Sequence, residues 1–257
     1  MTILDDIVAR TRANLGSEAP PDRPAAHRAA RIRTPFALTA ALRRDGINVI
    51  AEIKSASPSA GSIIDDPDVE TIAADYGRGG AAAISVVTEP EFFLGSRDWL
   101  GRAAGASGLP VLMKDFIIDE SQLVRGVAAG ASAILLLASL LDAEQIRNFI
   151  ACLDGYFCDA LVEVHDEAEL VRAIGGGARL IGVNSRNLRN FSVDLGTSER
   201  LSRQVPEGVL RVAESGIKTR SDVDRLRAAG FEAFLVGESL LRQNDRAAAV
   251  RQLVMGT

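Results

Sequence analysis

From residue 49 to its end the chain repeats one plan eight times: a short apolar run of strand character, a turn, then a stretch of helical periodicity. No linker or shift of composition separates the repeats. Predicted strands cover 49–54, 83–88, 110–114, 131–137, 160–165, 180–184, 210–214 and 233–237, with helical patterns over 68–77, 120–128, 142–151, 167–174, 196–203, 220–228 and 245–254. Strands alternating with helices predict an α/β parallel sheet, and eight such units fit a closed (β/α)8 TIM barrel better than an open doubly wound sheet. The glycine fingerprint of a dinucleotide site is missing after the first strand. Since 257 residues is the length of one such barrel, residues 1–257 are read as a single barrel domain, with 1–48 an N-terminal helical extension packed on it.

Local signals agree with this frame. Asp166 followed three residues later by Glu169 resembles a helix N-cap with its partner, and Leu170, Val171 and Ile174 then recur at helical spacing. Glycines at 79, 80, 130, 175–177 and 230 fall where helices should stop. In the extension, Ile3, Leu4, Ile7, Val8 and Leu15 form the apolar side of a first helix. A Pro- and Ala-rich loop over 20–24 and a short helical segment over 35–43 follow.

Composition excludes several function classes. With 47% hydrophobic and 25% charged residues the chain is of ordinary globular type. Its longest apolar run, over 131–141, is far short of the ~20 residues that span a bilayer. The acidic start, Asp5 and Asp6 ahead of any apolar stretch, is unlike a secretory signal. Cys152 and Cys158 lack metal or redox spacing and fit a reducing compartment, so a cytoplasmic protein is expected. Residues 1–45 hold eight Arg against five acidic residues. A solvated amphipathic helix accounts for these better than a nucleic-acid arm, and neither nucleic acid nor membrane is expected as a partner.

In a barrel the active site lies at the C-terminal strand ends. Here those ends carry Glu52 and Lys54, then Lys114, Glu163, Asn184 with Arg186, Glu214 with Ser215, and Gly237. Parity sharpens the pattern, because side chains two apart on a strand share a face. Ile50, Glu52 and Lys54 share a face, as do Leu112 and Lys114, Leu161 and Glu163, and Val212 and Glu214. Apolar residues thus fill the barrel and charges line its mouth. Ion pairs that merely seal one end would explain one or two such residues. Burying ions costs several kcal/mol each before pairing, so five converging charges point to catalysis.

Two loops predict a phosphate site. "ESGI" at 214–217 and "VGESL" at 236–240 follow the seventh and eighth strands, where barrels bind phosphate through glycine amides and a short helix. Ser57 and Gly61 in the turn-rich loop after the first strand add a hydroxyl and free amides. Near the mouth, Phe93, Phe116 and Leu188 could sandwich a flat ring while Arg186 pairs a carboxylate. His27 and His165 are the only histidines, far apart and without a second ligand at metal spacing. His165 is expected to fix a helix start, and no metal or cofactor is expected.

These stretches resemble indole-3-glycerol-phosphate synthase, an enzyme family of tryptophan biosynthesis. The resemblance runs from about residue 3 to the C-terminus through "VIAEIK" with "SPS.G", "SVVTEPEFFLGS", "VLMKDFIID", "ALVEVHDEAEL", "IGVNSRNL", "AESGI" and "FLVGESL". It implies a (β/α)8 barrel with an N-terminal extension, no cofactor, and closure of the indole ring of carboxyphenylamino-deoxyribulose phosphate with loss of carbon dioxide and water. By resemblance, Lys114 is the general acid for ring closure, and Glu52, Lys54 and Glu163 share the proton transfers of dehydration. Asn184, Glu214 and Ser215 orient hydroxyls and catalytic groups. Ser57, Gly216, Gly237 and the amide of Glu238 grip the phosphate, and Arg186 meets the anthranilate carboxylate. Other enzymes of the tryptophan pathway are further partners that the resemblance raises.

Where many members carry basic residues after the first-strand lysine, this chain has Ser55, Ala56 and Ala60, so weaker electrostatic attraction for phosphate is expected. Two alternatives stay open at this point. A sugar-phosphate isomerase on the same fold would work with an Asp or Cys acid/base pair, whereas these strand ends carry Lys and Glu. A non-catalytic paralogue that binds a phosphorylated metabolite or another pathway enzyme would have no need of the intact charged set.

Overall fold

The computed structural model describes residues 3–58, 61–187 and 191–256. Eight parallel strands close on themselves: β1 (Asn48–Ile53), β2 (Ala83–Val87), β3 (Val111–Lys114), β4 (Ala133–Leu137), β5 (Asp159–Val164), β6 (Leu180–Asn184), β7 (Leu210–Glu214) and β8 (Ala233–Val236), with β1 pairing both β2 and β8. The barrel is the one expected from the eightfold pattern, with strand limits shifted by two residues at most.

Strand parity separates two cores. Ile50, Leu112, Leu135, Leu161, Val212 and Leu235 point inward and fill the barrel, while Val49, Ala51, Ile53, Ile84 and Met113 point outward against the helices. Each fully buried Leu or Ile contributes roughly 1.5–3 kcal/mol. The strands therefore read as continuous apolar runs, as sheets covered on both faces do.

Helices α1 (Ile3–Ser17), α2 (Arg23–Arg31) and α3 (Ala37–Leu42) precede the barrel. Helix α2 begins within the stretch expected to be a Pro-rich loop, where no helix was expected. Pro24 sits in its first turn, where a missing N–H costs nothing, and the Asp22 carboxylate accepts the Ala25 N–H at 2.8 Å. Ala26 and Ala30 are buried on its inner face, beside α6 (Glu120–Ala129). Helix α3 closes the lower end of the barrel: Leu38 and Leu42 join the interior core, and Thr39 donates its N–H and hydroxyl to Asp159 at 3.1 and 2.6 Å.

The outer helices are α4 (Val69–Gly79), α5 (Asp98–Ser107), α7 (Ala143–Asp154), α8 (Glu167–Gly175), α9 (Leu195–Ser202), α10 (Arg220–Ala228), the short α11 (Glu238–Leu241) and α12 (Arg246–Met255). Helix α5 lacks a strong sequence signal because Gly101 and Gly105 each weaken it by up to ~1 kcal/mol; burial of Leu100 and Ala103 decides its formation. Gly80 and Gly130 end α4 and α6 in the left-handed conformation. No helix among the described residues is long and apolar enough to cross a membrane.

Candidate active site

A cavity of about 740 Å3 opens at the C-terminal strand ends. Every described residue expected in the site lines it or touches a residue that does. Glu52, Lys54, Ser57, Phe93, Lys114, Phe116, Glu163, Asn184, Arg186, Ser215, Gly216, Gly237 and Glu238 line it directly, and Glu214 contacts Lys114 from the barrel interior. Leu188, the third expected ring contact, lies outside the described residues, as does Ala60.

Lys114 is the hub of the charged cluster. Its Nζ donates to Glu214 Oε2 at 2.7 Å and lies 3.5 Å from Glu163 Oε2 and 3.6 Å from Glu52 Oε2. Lys54 donates to the other oxygen of Glu52 at 2.5 Å. All three carboxylates are buried. Burial works against the charge of Lys114, but Glu214, Glu163 and Glu52 outweigh it and hold the ammonium protonated, above the ordinary amine range.

The carboxylates divide in character. Burial alone would raise Glu163, yet Lys114 and the contacts with His165 and Asn184 bring it well below the usual carboxylate range. Glu52 is likewise lowered, burial being overcome by Lys54 and Lys114. Glu214 goes the other way: burial pushes its carboxyl up to about 8, with Lys114 opposing and Glu163 adding to the shift. Groups driven apart in proton affinity within one cavity mark acid/base sites.

Asn184 links Glu163 to Arg186. Its amide donates to Glu163 Oε1 at 3.1 Å, and its carbonyl accepts the Arg186 N–H at 2.9 Å. The Arg186 guanidinium donates to the Phe191 carbonyl at 3.2 Å, and Arg186 bridges Val193 across the loop. Phe93 and Phe116 pack with ring centroids 5.8 Å apart at 42°. Asp115, off the inward parity, is held by the Thr88 hydroxyl at 2.6 Å, and burial raises its carboxyl.

Gly237 makes room for a charged residue. A Cβ on Gly237 would overlap the Glu52 carboxylate and lie 3.1 Å from the Glu52 Cβ. Ser215 adopts φ +64° ahead of Gly216 at +80°. A left-handed serine costs of order 1–3 kcal/mol, the kind of strain that collects at functional sites. After the eighth strand, Gly237 leads into α11, and Ser57 belongs to a two-stranded ribbon, Ala56–Ser57 with Gly61–Ser62.

Several lining residues escaped the sequence reading. Ile3, Leu4 and Ile7 of α1 roof the cavity, while Arg10 and Asn14 engage Glu91, and Glu18 binds Arg97 and Arg125, fixing the helix there. Lys218 and Arg242 stand beside the expected phosphate loops. Lys218 lies two residues past Gly216, and Arg242 is one turn beyond Glu238, to which its Nε donates at 2.9 Å. That spacing was the available signal. The cap expected at 166–169 forms only in part: Asp166 accepts the Glu169 N–H at 2.8 Å, but the Glu169 carboxylate turns to His165 instead of back to the cap.

Known proteins share this chain's sequence and its fold. The family model for indole-3-glycerol phosphate synthase matches residues 4–253. An indole-3-glycerol phosphate synthase of Chlorobium chlorochromatii is 44% identical over 93% of this chain and 95% of its own length. One from Sulfurimonas denitrificans is 40% identical over 99% of both. Among solved structures, a 3-hexulose-6-phosphate synthase superposes with a TM-score of 0.64 at 15% identity, covering 80% of this chain and 98% of its own, a likeness of fold alone. With a family match that runs almost end to end and relatives of 40% identity or more over nearly their whole length, the chain belongs to the indole-3-glycerol phosphate synthase family.

Proposed function

We propose that the chain converts carboxyphenylamino-deoxyribulose phosphate to indole-3-glycerol phosphate, a carboxy-lyase step of tryptophan biosynthesis, and that Lys114 initiates it. The supporting observation is the half-buried ammonium of Lys114 surrounded by Glu52, Glu163 and Glu214. Attack of the aromatic carbon on the substrate ketone turns the carbonyl oxygen into an alkoxide. Lys114 gives that oxygen its proton as the charge develops, a role of order 10²–10⁴-fold in rate. A high proton affinity in the free protein is no obstacle, because the developing alkoxide is more basic still, and a fixed ammonium needs little reorganisation. Carbon dioxide then departs and the ring regains aromaticity.

Dehydration requires a donor for the leaving hydroxide and an acceptor for a carbon-bound proton. Lys54 is the donor in this reading, and the ionised Glu52 and Glu163 are the acceptors. Glu214 and Asn184 orient Lys114 and Glu163, with Ser215 beside them. Ser57, Gly216, Gly237 and the Glu238 amide receive the phosphate, Arg186 the anthranilate carboxylate, and Phe93 with Phe116 the ring. The partner this requires is a phosphorylated small molecule. Association with other enzymes of the pathway rests on the family resemblance, and a cytoplasmic setting rests on two unpaired cysteines and on the metabolism the reaction serves.

An isomerase is less well supported: Cys152 and Cys158 do not line the cavity, and Asp115 is engaged by Thr88. The test is to mix the purified protein with carboxyphenylamino-deoxyribulose phosphate and follow indole fluorescence. Silence at high enzyme concentration would sink the reading.

A further inference from the structure

His165 is a half-buried titratable group that the steps above leave unused. It follows β5 directly, and its ring lies between two carboxylates. Nδ1 is 3.0 Å from Glu169 Oε2, and Nε2 is 3.2 Å from Glu163 Oε1, close enough for a charge contact though its N–H is not aligned on the oxygen. Glu169 is itself fixed, since its Oε2 also accepts the His165 backbone N–H at 2.8 Å. Behind it, Arg172 lies 4.0 Å from Glu169 Oε1 and donates its Nε to the Ala138 carbonyl at 3.0 Å. Among the described residues, a row of alternating charge thus runs outward from the cavity: Lys114, Glu163, His165, Glu169, Arg172.

A capping side chain would ordinarily turn Glu169 back toward the start of α8, and here it is diverted to the ring. The diversion has a chemical consequence. An imidazole with a carboxylate on each side is favoured in its doubly protonated form, because both nitrogens then face acceptors. Its positive charge lies beside a carboxylate that already faces Lys114. Glu163 Oε1 is thereby met by Asn184 and His165, while Oε2 is turned toward Lys114 and the cavity.

We propose that His165 is the positioning residue for Glu163, its imidazolium fixing the orientation and charge of that carboxylate, and that Glu169 holds the imidazolium in place. This rests on Glu163 entering the reaction ionised, as read above. The charged and titratable groups facing the ring are Glu163 from β5 and Glu169 from α8; Arg172 and Lys114 act on it through those two, and Asp166 is occupied in capping α8. Burial opposes the charge of His165, but the two glutamates push its titration up to about 10.

The test uses the full chain and two kinds of readout. NMR titration of the imidazole in the free protein, assigned against His27→Asn, is expected to find His165 charged well above pH 7 and to find that titration lowered in Glu169→Gln. A ring that titrates like a free imidazole overturns the proposal, whatever the activity. In steady state, His165→Gln is expected to lower kcat by about tenfold, less than loss of a full acid/base group, with KM within about twofold. The acid limb of the kcat profile should move to higher pH, because Glu163 without the imidazolium binds its proton more tightly. Glu169→Gln should move that limb the same way by less. A fall in kcat with an unmoved limb in both variants would assign His165 a packing role only and overturn the proposal. If His165→Gln does not fold, the Glu169→Gln profile and the titration decide. If the wild type makes no indole product, the functional reading fails while the titration still judges this one.

Discussion

Gly182 on β6 and Glu214 on β7 occupy one space: a Cβ at position 182 would fall on Glu214 Oε1. The glycine is buried in a strand interior, where a side chain would ordinarily pack better. Its absence lets the Glu214 carboxylate lie within the barrel and still reach Lys114 at 2.7 Å. The orientation of the hub lysine therefore depends on a missing methyl group on the strand beside that of Glu214.

Gly182→Ala is expected to disturb chemistry more than folding. Overpacking costs about 1–3 kcal/mol, which a urea midpoint would register. Turning Glu214 away releases Lys114, and a misplacement of about 1 Å can cost ~10²-fold in rate. Steady-state kinetics with kcat near wild type would show that Glu214 can move without consequence.

Lys114→Met should remove ring closure by 10²–10⁴-fold or more while substrate still binds through phosphate and carboxylate contacts, as single-turnover and binding measurements can separate. It also leaves Glu52, Glu163 and Glu214 facing one another without the ammonium. Their carboxyls then bind protons more tightly in the folded chain than in wild type. Since stability falls with pH where the folded state holds more protons, the deficit of the variant relative to wild type should widen from pH 5 to pH 8. Urea midpoints across that window would check it, and a constant deficit would contradict the cluster's electrostatics.

Arg186→Ala should raise KM roughly tenfold, with kcat less affected, if the guanidinium meets the anthranilate carboxylate. Arg186→Lys should restore little, because a single ammonium cannot make the paired contact. An unchanged KM in Arg186→Ala removes the residue from the carboxylate site.

The barrel was legible because strand parity and strand number carry topology: alternate residues such as Ile50 and Glu52 must share the inward face, whatever surrounds them. The converging Lys and Glu were legible for the same reason. What escaped depends on distant packing. Helix α2 follows a Pro-rich stretch whose Pro24 reads as a loop signal until burial of Ala26 and Ala30 shows its use. Nothing local tells Ile3, Leu4 and Ile7 that they will roof the cavity. Glu169 reads as a capping partner by spacing, and only the folded ring of His165 gives its carboxylate another acceptor role.

Lys218 and Arg242 bear on the missing basic residues of the first loop. Ser55 and Ala56 are buried and uncharged, yet the adjoining rim of the mouth, after the seventh and eighth strands, carries these two cations beside Gly216 and Gly237. Positive charge near the expected phosphate is thereby moved from the first βα loop to the seventh and eighth. Both side chains lie toward solvent, where a charge contact is worth at most about 1 kcal/mol, so Lys218→Ala should raise KM by about threefold to fivefold at low salt. Arg242 shares its charge with Glu238, and Arg242→Ala should have the smaller effect. Screening over a Debye length of ~10 Å at 0.1 M predicts that the difference between Lys218→Ala and wild type shrinks as ionic strength rises. Measuring KM across a salt series distinguishes this from a steric role: an effect that persists undiminished at high salt means that Lys218 shapes the mouth and does not attract the phosphate.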